Sequence, residues 1–187
     1  MTCDGVEDES DEHGVNSETP GESRISRKSR RASIRIIGLG NGFRGDDAAG
    51  LLAARRLQGV VGEHIEVIEA EMVGVELLEL MKGAQVVWLI DAVCSGQAPG
   101  KIHRLEASSG LMASGLFPRS THAVGVVEAV ELARTLGVLP PKVIVYGIEA
   151  AGMEMGHPLS PHVGQALNEV VQLILQETEH LACTNSI

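Results

Sequence analysis

Short apolar runs alternate along the chain with longer stretches of helical spacing. Ile34 to Leu39 reads as a short buried strand, and His64 to Glu71, with Ile65, Val67 and Ile68, reads as a second whose alternation leaves one face partly covered. Val86-Val87-Trp88-Leu89-Ile90 is the most continuous apolar run, the pattern of a central parallel strand covered on both faces, and it ends in Asp91. Lys142 to Ile148 is a further buried strand. Lys101 to Glu106 follows the turn Gln97-Ala98-Pro99-Gly100 too closely for a helical crossover, so it should pair antiparallel or lie at an edge. Helices are predicted between these runs. Asp46 and Asp47 precede Leu51, Leu52, Ala54 and Leu57 on a segment reaching about Gln58, with acidic side chains where a helix N-terminus favours them. Val73, Leu77, Leu78, Leu80 and Met81 form a stripe stopped by Lys82-Gly83. Ser120 to Val127 opens a third helix with a hydroxyl cap before His122, and Ser160-Pro161 opens a last one over about 161 to 177. Strands alternating with helices imply an α/β domain with a mostly parallel sheet, helices on both faces and the loops after the strands converging.

The 187 residues suit one domain, at 33–178, with a tail at 1–32 and a short C-terminal tail at 179–187. Residues 1–32 are rich in Asp, Glu, Ser and Gly, then turn basic from Arg24 to Arg31, so they are expected to be a disordered, solvated extension. A formal charge of −10 with a single Trp and a single Tyr argues against nucleic acid and toward a cationic partner or a metal. Cys3, Cys94 and Cys183 are few and far apart, which indicates neither a disulfide framework nor a thiolate zinc site and suits a reducing cytoplasm. No apolar run approaches the ~20 residues of a membrane helix. Ser29-Arg30-Arg31-Ala32-Ser33 resembles a twin-arginine export signal only superficially, since a four-residue strand-like run and glycines follow it. A soluble, cytoplasmic monomer is expected.

Chemistry concentrates after the first strand, where Gly38-Leu39-Gly40 breaks the apolar run and Asp46-Asp47 follows. A dinucleotide site fails on two counts: Phe43 stands where the third glycine of G-x-G-x-x-G belongs, and the two aspartates would oppose a pyrophosphate. Asp47, Asp91 and His122 lie on three loops that such a sheet brings to one crevice. Two carboxylates and one imidazole suit a borderline divalent ion such as nickel or zinc, and three protein ligands leave coordination positions open. A helix N-terminus at His122 would hold its imidazole neutral, the metal-binding form. The residues also allow plainer roles, in which Asp91 binds a backbone amide and His122 caps its helix. The long loop at 107–121 is a candidate binding surface. His157 and His162 read as structural or surface groups, and His13, His64, His103 and His180 have no companion carboxylate in a telling context.

Three segments resemble the hydrogenase maturation endopeptidases, which trim the large subunit of nickel-iron hydrogenases: Gly38-Leu39-Gly40-Asn41 with Gly45-Asp46-Asp47-Ala48-Ala49-Gly50, then Leu89-Ile90-Asp91-Ala92, then Thr121-His122-Ala123-Val124-Gly125. Their order and spacing match over about Ile34 to Gln176. The resemblance implies a three-layer αβα sandwich around a five-stranded sheet, mostly parallel with one antiparallel edge strand. It further implies an endopeptidase, aspartic-type or metal-assisted, that removes a C-terminal extension from the nickel-loaded hydrogenase large-subunit precursor. It puts the family's metal-contacting acid, central Asp and His on Asp47, Asp91 and His122, with Asp46 the alternative at the first position. Nickel would arrive with the precursor, and zinc or cadmium would occupy the same ligands in the isolated protein. The family often carries Glu where Asp47 stands, so the shorter side chain is a departure, as is the extension at 1–32. A non-catalytic metal-binding chaperone of the immature subunit would use the same three ligands. Cys94, three residues past Asp91, lacks the paired His motif of a cysteine nucleophile.

Overall fold

The computed structural model describes residues 34–71, 74–109, 119–120 and 125–184. The extension at 1–32, most of the 107–121 loop and His122 lie outside these residues. Strands β1 (Ile34–Leu39), β2 (Ile65–Ala70), β3 (Val86–Cys94), β4 (Ile102–Glu106) and β6 (Lys142–Glu149) form a sheet in the order β2-β1-β3-β6-β4. All neighbours run parallel except β4, which joins β6 antiparallel at the edge, as the short connection before it requires. The two-residue β5 (Arg119–Ser120) pairs antiparallel with Val93 and Cys94 of β3.

Each sheet face buries its own core. Ile36, Trp88, Ile90, Ile144 and Tyr146 pack with helices α1 (Ala49–Leu57) and α4 (Pro161–Thr184). On the other face, Ile37, Leu89, Val93 and Val145 pack with α2 (Val75–Met81) and α3 (Val126–Thr135), so the molecule is a three-layer αβα sandwich. No helix among the described residues is long and apolar enough to cross a membrane.

Three boundaries differ from expectation. β3 does not stop at Asp91 but runs to Cys94, because β6 continues to pair with it through Val93 and β5 takes up its end. The third helix opens at Val126: Gly125 before it is extended (φ −77°, ψ 177°), and Ser120 is in β5. The last helix runs to Thr184, through much of the segment expected as tail, and its Glu177 ties it to the sheet. That carboxylate accepts hydrogen bonds from Trp88 Nε1 (2.6 Å), Tyr146 Oη (2.8 Å) and Arg104 Nε (2.9 Å). Burial alone would raise its pKa, but these donors outweigh it and hold it below the ordinary value. Burial and the same carboxylate push the Tyr146 hydroxyl up to about 12. Near the same end of the sheet, buried Arg35 donates to the carbonyls of Leu80 (2.6 Å) and Lys82 (3.1 Å), closing the C-terminus of α2.

α1 meets the sheet backbone to backbone. A Cβ on Gly50 would lie 2.2 Å from the Leu39 carbonyl oxygen and 2.3 Å from that of Ile90, and one on Gly38 would lie 2.1 Å from the Gly50 oxygen. Since the obstructing atoms are main chain, only displacement of the helix relieves the clash. Gly50→Ala is expected to lower unfolding free energy by about 3 kcal/mol or more, read as an earlier midpoint in chemical denaturation.

Candidate active site

Strand order reverses direction between β1 and β3: the crossover through α1 leads outward to β2, and the crossover through α2 leads back to β3 on the opposite face. A crevice at the C-terminal ends of such strands is where open α/β sheets hold ligands. The loop leaving β1 enters it directly. Gly40, at φ +143°, turns the chain where a Cβ would stand 1.9 Å from the Asp47 carbonyl oxygen, and Asn41 N donates to that oxygen at 3.1 Å. Asn41 Oδ1 accepts from Phe43 N (2.9 Å), Arg44 N donates to Asn41 O (3.2 Å), and a single turn of 3₁₀ helix over Gly45–Ala48 leads into α1.

The two adjacent aspartates of this turn are both buried, at 1% and 0% exposure, yet they are held differently. Asp46 Oδ2 accepts from the amides of Ala151 (2.8 Å) and Gly152 (3.2 Å), and its Oδ1 accepts from Ser160 N (2.6 Å). Asp46 N in turn donates to Gly152 O at 3.0 Å. Asp46 thus staples the turn to the loop after β6 and to the start of α4. Asp47 Oδ2 lies 3.7 Å from Nη1 of Arg44, whose side chain is 41% exposed against 1% for Asp47.

Asp91 is wholly buried within β3, opposite Gly147 of β6, and its Oδ1 accepts from Ala92 N at 2.9 Å. By strand alternation it shares the face of Leu89 and Val93, the α2 and α3 side. The turn bearing Asp47 packs on β3, and Gly50 abuts Ile90, the residue before Asp91, so both carboxylates belong to one end of the sheet. His122 lies outside the described residues. The described chain reaches Ser120, paired with Val93 beside the strand that carries Asp91, and resumes at Gly125 before α3. The expectation that a helix N-terminus keeps His122 neutral falls on a residue outside those described.

A further buried carboxylate, not legible in the sequence, lies at the end of β6. Glu149, ending β6, accepts from the amides of Ser95 (2.6 Å), Gly96 (2.9 Å) and Gln97 (3.1 Å) and from the Ser95 hydroxyl (2.7 Å). His103 Nε2 stands 3.2 Å from it, so this histidine does have a companion carboxylate, brought by the antiparallel register of β4 on β6. Burial would raise the Glu149 pKa, but the Ser95, Gln97 and His103 contacts prevail and lower it. Cys94 is shifted the other way: burial first, then the charges of Glu149, Asp47 and Asp46 push its thiol up, which disfavours the thiolate a nucleophile needs. His157 and His162 are exposed.

To a divalent ion Asp47 and Asp91 offer two buried carboxylates, hard oxygen donors that suit such a cation. Among the described residues, no three His, Cys, Asp or Glu side chains are placed to hold one ion, and the third donor expected from the sequence is His122.

The sandwich defines an α/β protein whose buried Asp47 and Asp91 gather near the topological switch of the sheet. The chain belongs to the hydrogenase maturation protease family, whose HycI model matches residues 52–177, from just after Asp47 to beyond His122. A hydrogenase expression/formation protein HupD of Thiocapsa roseopersicina is 25% identical over 146 residues, covering 76% of this chain and 66% of that protein, just under two thirds of its length. The hydrogenase 2 maturation protease of Escherichia coli (strain K12) is 25% identical over 147 residues, 76% of this chain and 88% of that one. In fold the chain is similar to the hydrogenase maturating endopeptidase HybD from E. coli, with a TM-score of 0.65 at 22% identity over 79% of this chain and 92% of that chain.

Two substitutions test the carboxylates' structural roles. Asp46→Ala strands three amides and is expected to cost about 3 kcal/mol or more by denaturant titration. Glu149 titrates below its ordinary value of 4.5 when folded, so its stabilisation is complete above that pH and lost as pH falls through the lowered value. The stability gap between wild type and Glu149→Gln should therefore be widest near neutrality and narrow on acidification, measured as denaturation midpoints from pH 7 downward.

Proposed function

We propose that this protein is an endopeptidase that removes a C-terminal peptide from the precursor of a nickel-iron hydrogenase large subunit once nickel has been inserted. Family membership supports the reaction class. The observation that carries the choice of residues is the contrast within the acidic pair: three amides engage the Asp46 carboxylate, whereas Asp47 faces a partly exposed cation. Asp47 therefore serves at the crevice, with Asp91 on the neighbouring strand and His122 as third donor.

Nickel is part of the substrate in this reaction. Asp47, Asp91 and His122 take up coordination positions on the precursor's metal, so only a loaded client is fixed with its peptide bond in reach. A client-borne metal can polarise the scissile carbonyl or lower the pKa of a water. Water adds through oxygen to the carbonyl carbon, the carbon–nitrogen bond breaks, and the departing amine takes the proton. No cysteine is needed, in line with the raised thiol pKa of Cys94. The exposed free thiols Cys94 and Cys183 suit a reducing cytoplasm.

Incubation of the purified protein with nickel-loaded precursor, followed by mass spectrometry, should yield a shortened subunit and a released peptide. An unshortened complex would instead indicate a chaperone. Asp47→Asn, Asp91→Asn and His122→Ala should each slow processing on the order of 100-fold or more, while Cys94→Ala leaves it intact. Loss of processing in the Cys94 variant would overturn the metal-assisted mechanism.

A further inference from the structure

The ion pair between Arg44 and Asp47 plays no part in the hydrolysis described above, yet it occupies the carboxylate assigned to the client's metal. We infer that Arg44 is a displaceable counter-ion that guards Asp47 against free divalent cations and yields it to a metal presented by the client. This inference rests on the metal-accepting role given to Asp47 under the proposed function.

The argument begins with burial. An ionised carboxylate with a side chain 1% exposed requires an opposite charge nearby, and the Arg44 guanidinium, three residues earlier, supplies one. The two groups are not equally confined. Arg44 keeps 41% of its side chain in solvent, and at 3.7 Å its Nη1 contact with Oδ2 is Coulombic, longer than a hydrogen bond. Its backbone, by contrast, is fixed: Arg44 N donates to Asn41 O, and Asp47 N donates to Arg44 O at 3.0 Å. The guanidinium can therefore swing outward while the turn that holds Asp47 stays in place.

Charge then sets the selectivity. A guanidinium brings one positive charge to Asp47, whereas a divalent ion brings two. A free hydrated ion must shed water and expel Arg44, gaining only this chain's ligands. A client metal arrives already held by client ligands, and the docked client adds its own contacts to the exchange.

Zinc titration of the full-length protein against a chromophoric chelator separates the outcomes. Arg44→Met and Arg44→Gln should bind zinc at least on the order of tenfold more tightly than wild type, because repulsion between a guanidinium and a divalent ion a few Å away is removed. Arg44→Lys, which keeps the charge, should remain near wild type, and Asp47→Asn should weaken binding. The metal-free Met and Gln variants should also melt earlier than wild type and regain the difference with zinc. Unchanged or weaker zinc affinity in both neutral variants, or a Lys variant that behaves like them, would overturn the counter-ion role. Cleavage of nickel-loaded precursor by wild type is scored separately: cleavage with unchanged zinc affinities rejects the guard alone, whereas tighter zinc binding without cleavage supports the guard and rejects the peptidase.

Discussion

The reactive end of the molecule depends on how closely α1 is allowed to approach the sheet. Gly38 and Gly50 bring a helix start against the carbonyls of Leu39 and Ile90 with no side chain between them. Glycine costs conformational entropy in regular structure, so two at one contact indicate that the approach itself is what the fold requires. With that contact made, the turn over Gly45–Ala48 has little latitude. Its Asp47 carbonyl is taken by Asn41 and its Asp46 amide by Gly152, and the side chains of the turn are set beside the strand that carries Asp91.

A common device anchors the loops around this point. Asp46 and Glu149 are both buried carboxylates ringed by backbone amides, one gathering Ala151, Gly152 and Ser160, the other Ser95, Gly96 and Gln97. Together they tie the segment after β1 and the segment after β3 to the end of β6 and the chain just beyond it. Charge-assisted bonds of this kind are short and strong, and in a region shielded from water they hold irregular backbone as firmly as a strand does. Burial first, and then the charges of Glu149, Asp47 and Asp46, raise the Cys94 thiol, so the anchoring carboxylates add to what disfavours its thiolate.

Most of the layered fold was legible because its signals are local. Periodicity located β1, β2, β6 and α2 to within about two residues. The short connection before β4 correctly implied an antiparallel edge. What escaped has a long-range cause. Asp91 looked like a strand terminus because a charge ends the apolar run, but β6 and β5 supply partners that carry β3 to Cys94. His103 and Glu149 lie 46 positions apart and meet only through register, and Glu177 gains its role only where Trp88, Tyr146 and Arg104 converge on it. The sequence paired Asp46 with Asp47 as alternatives without separating their roles, because the amides that occupy Asp46 belong to residues more than a hundred positions away.

The clamps made by Arg35 and Glu177 sit away from the crevice, where α2 ends and α4 passes beneath Trp88. With that foot of the sheet secured, the loops over the crevice are relieved of carrying the scaffold. A substitution in those loops is thereby kept apart from the packing that holds the layers together.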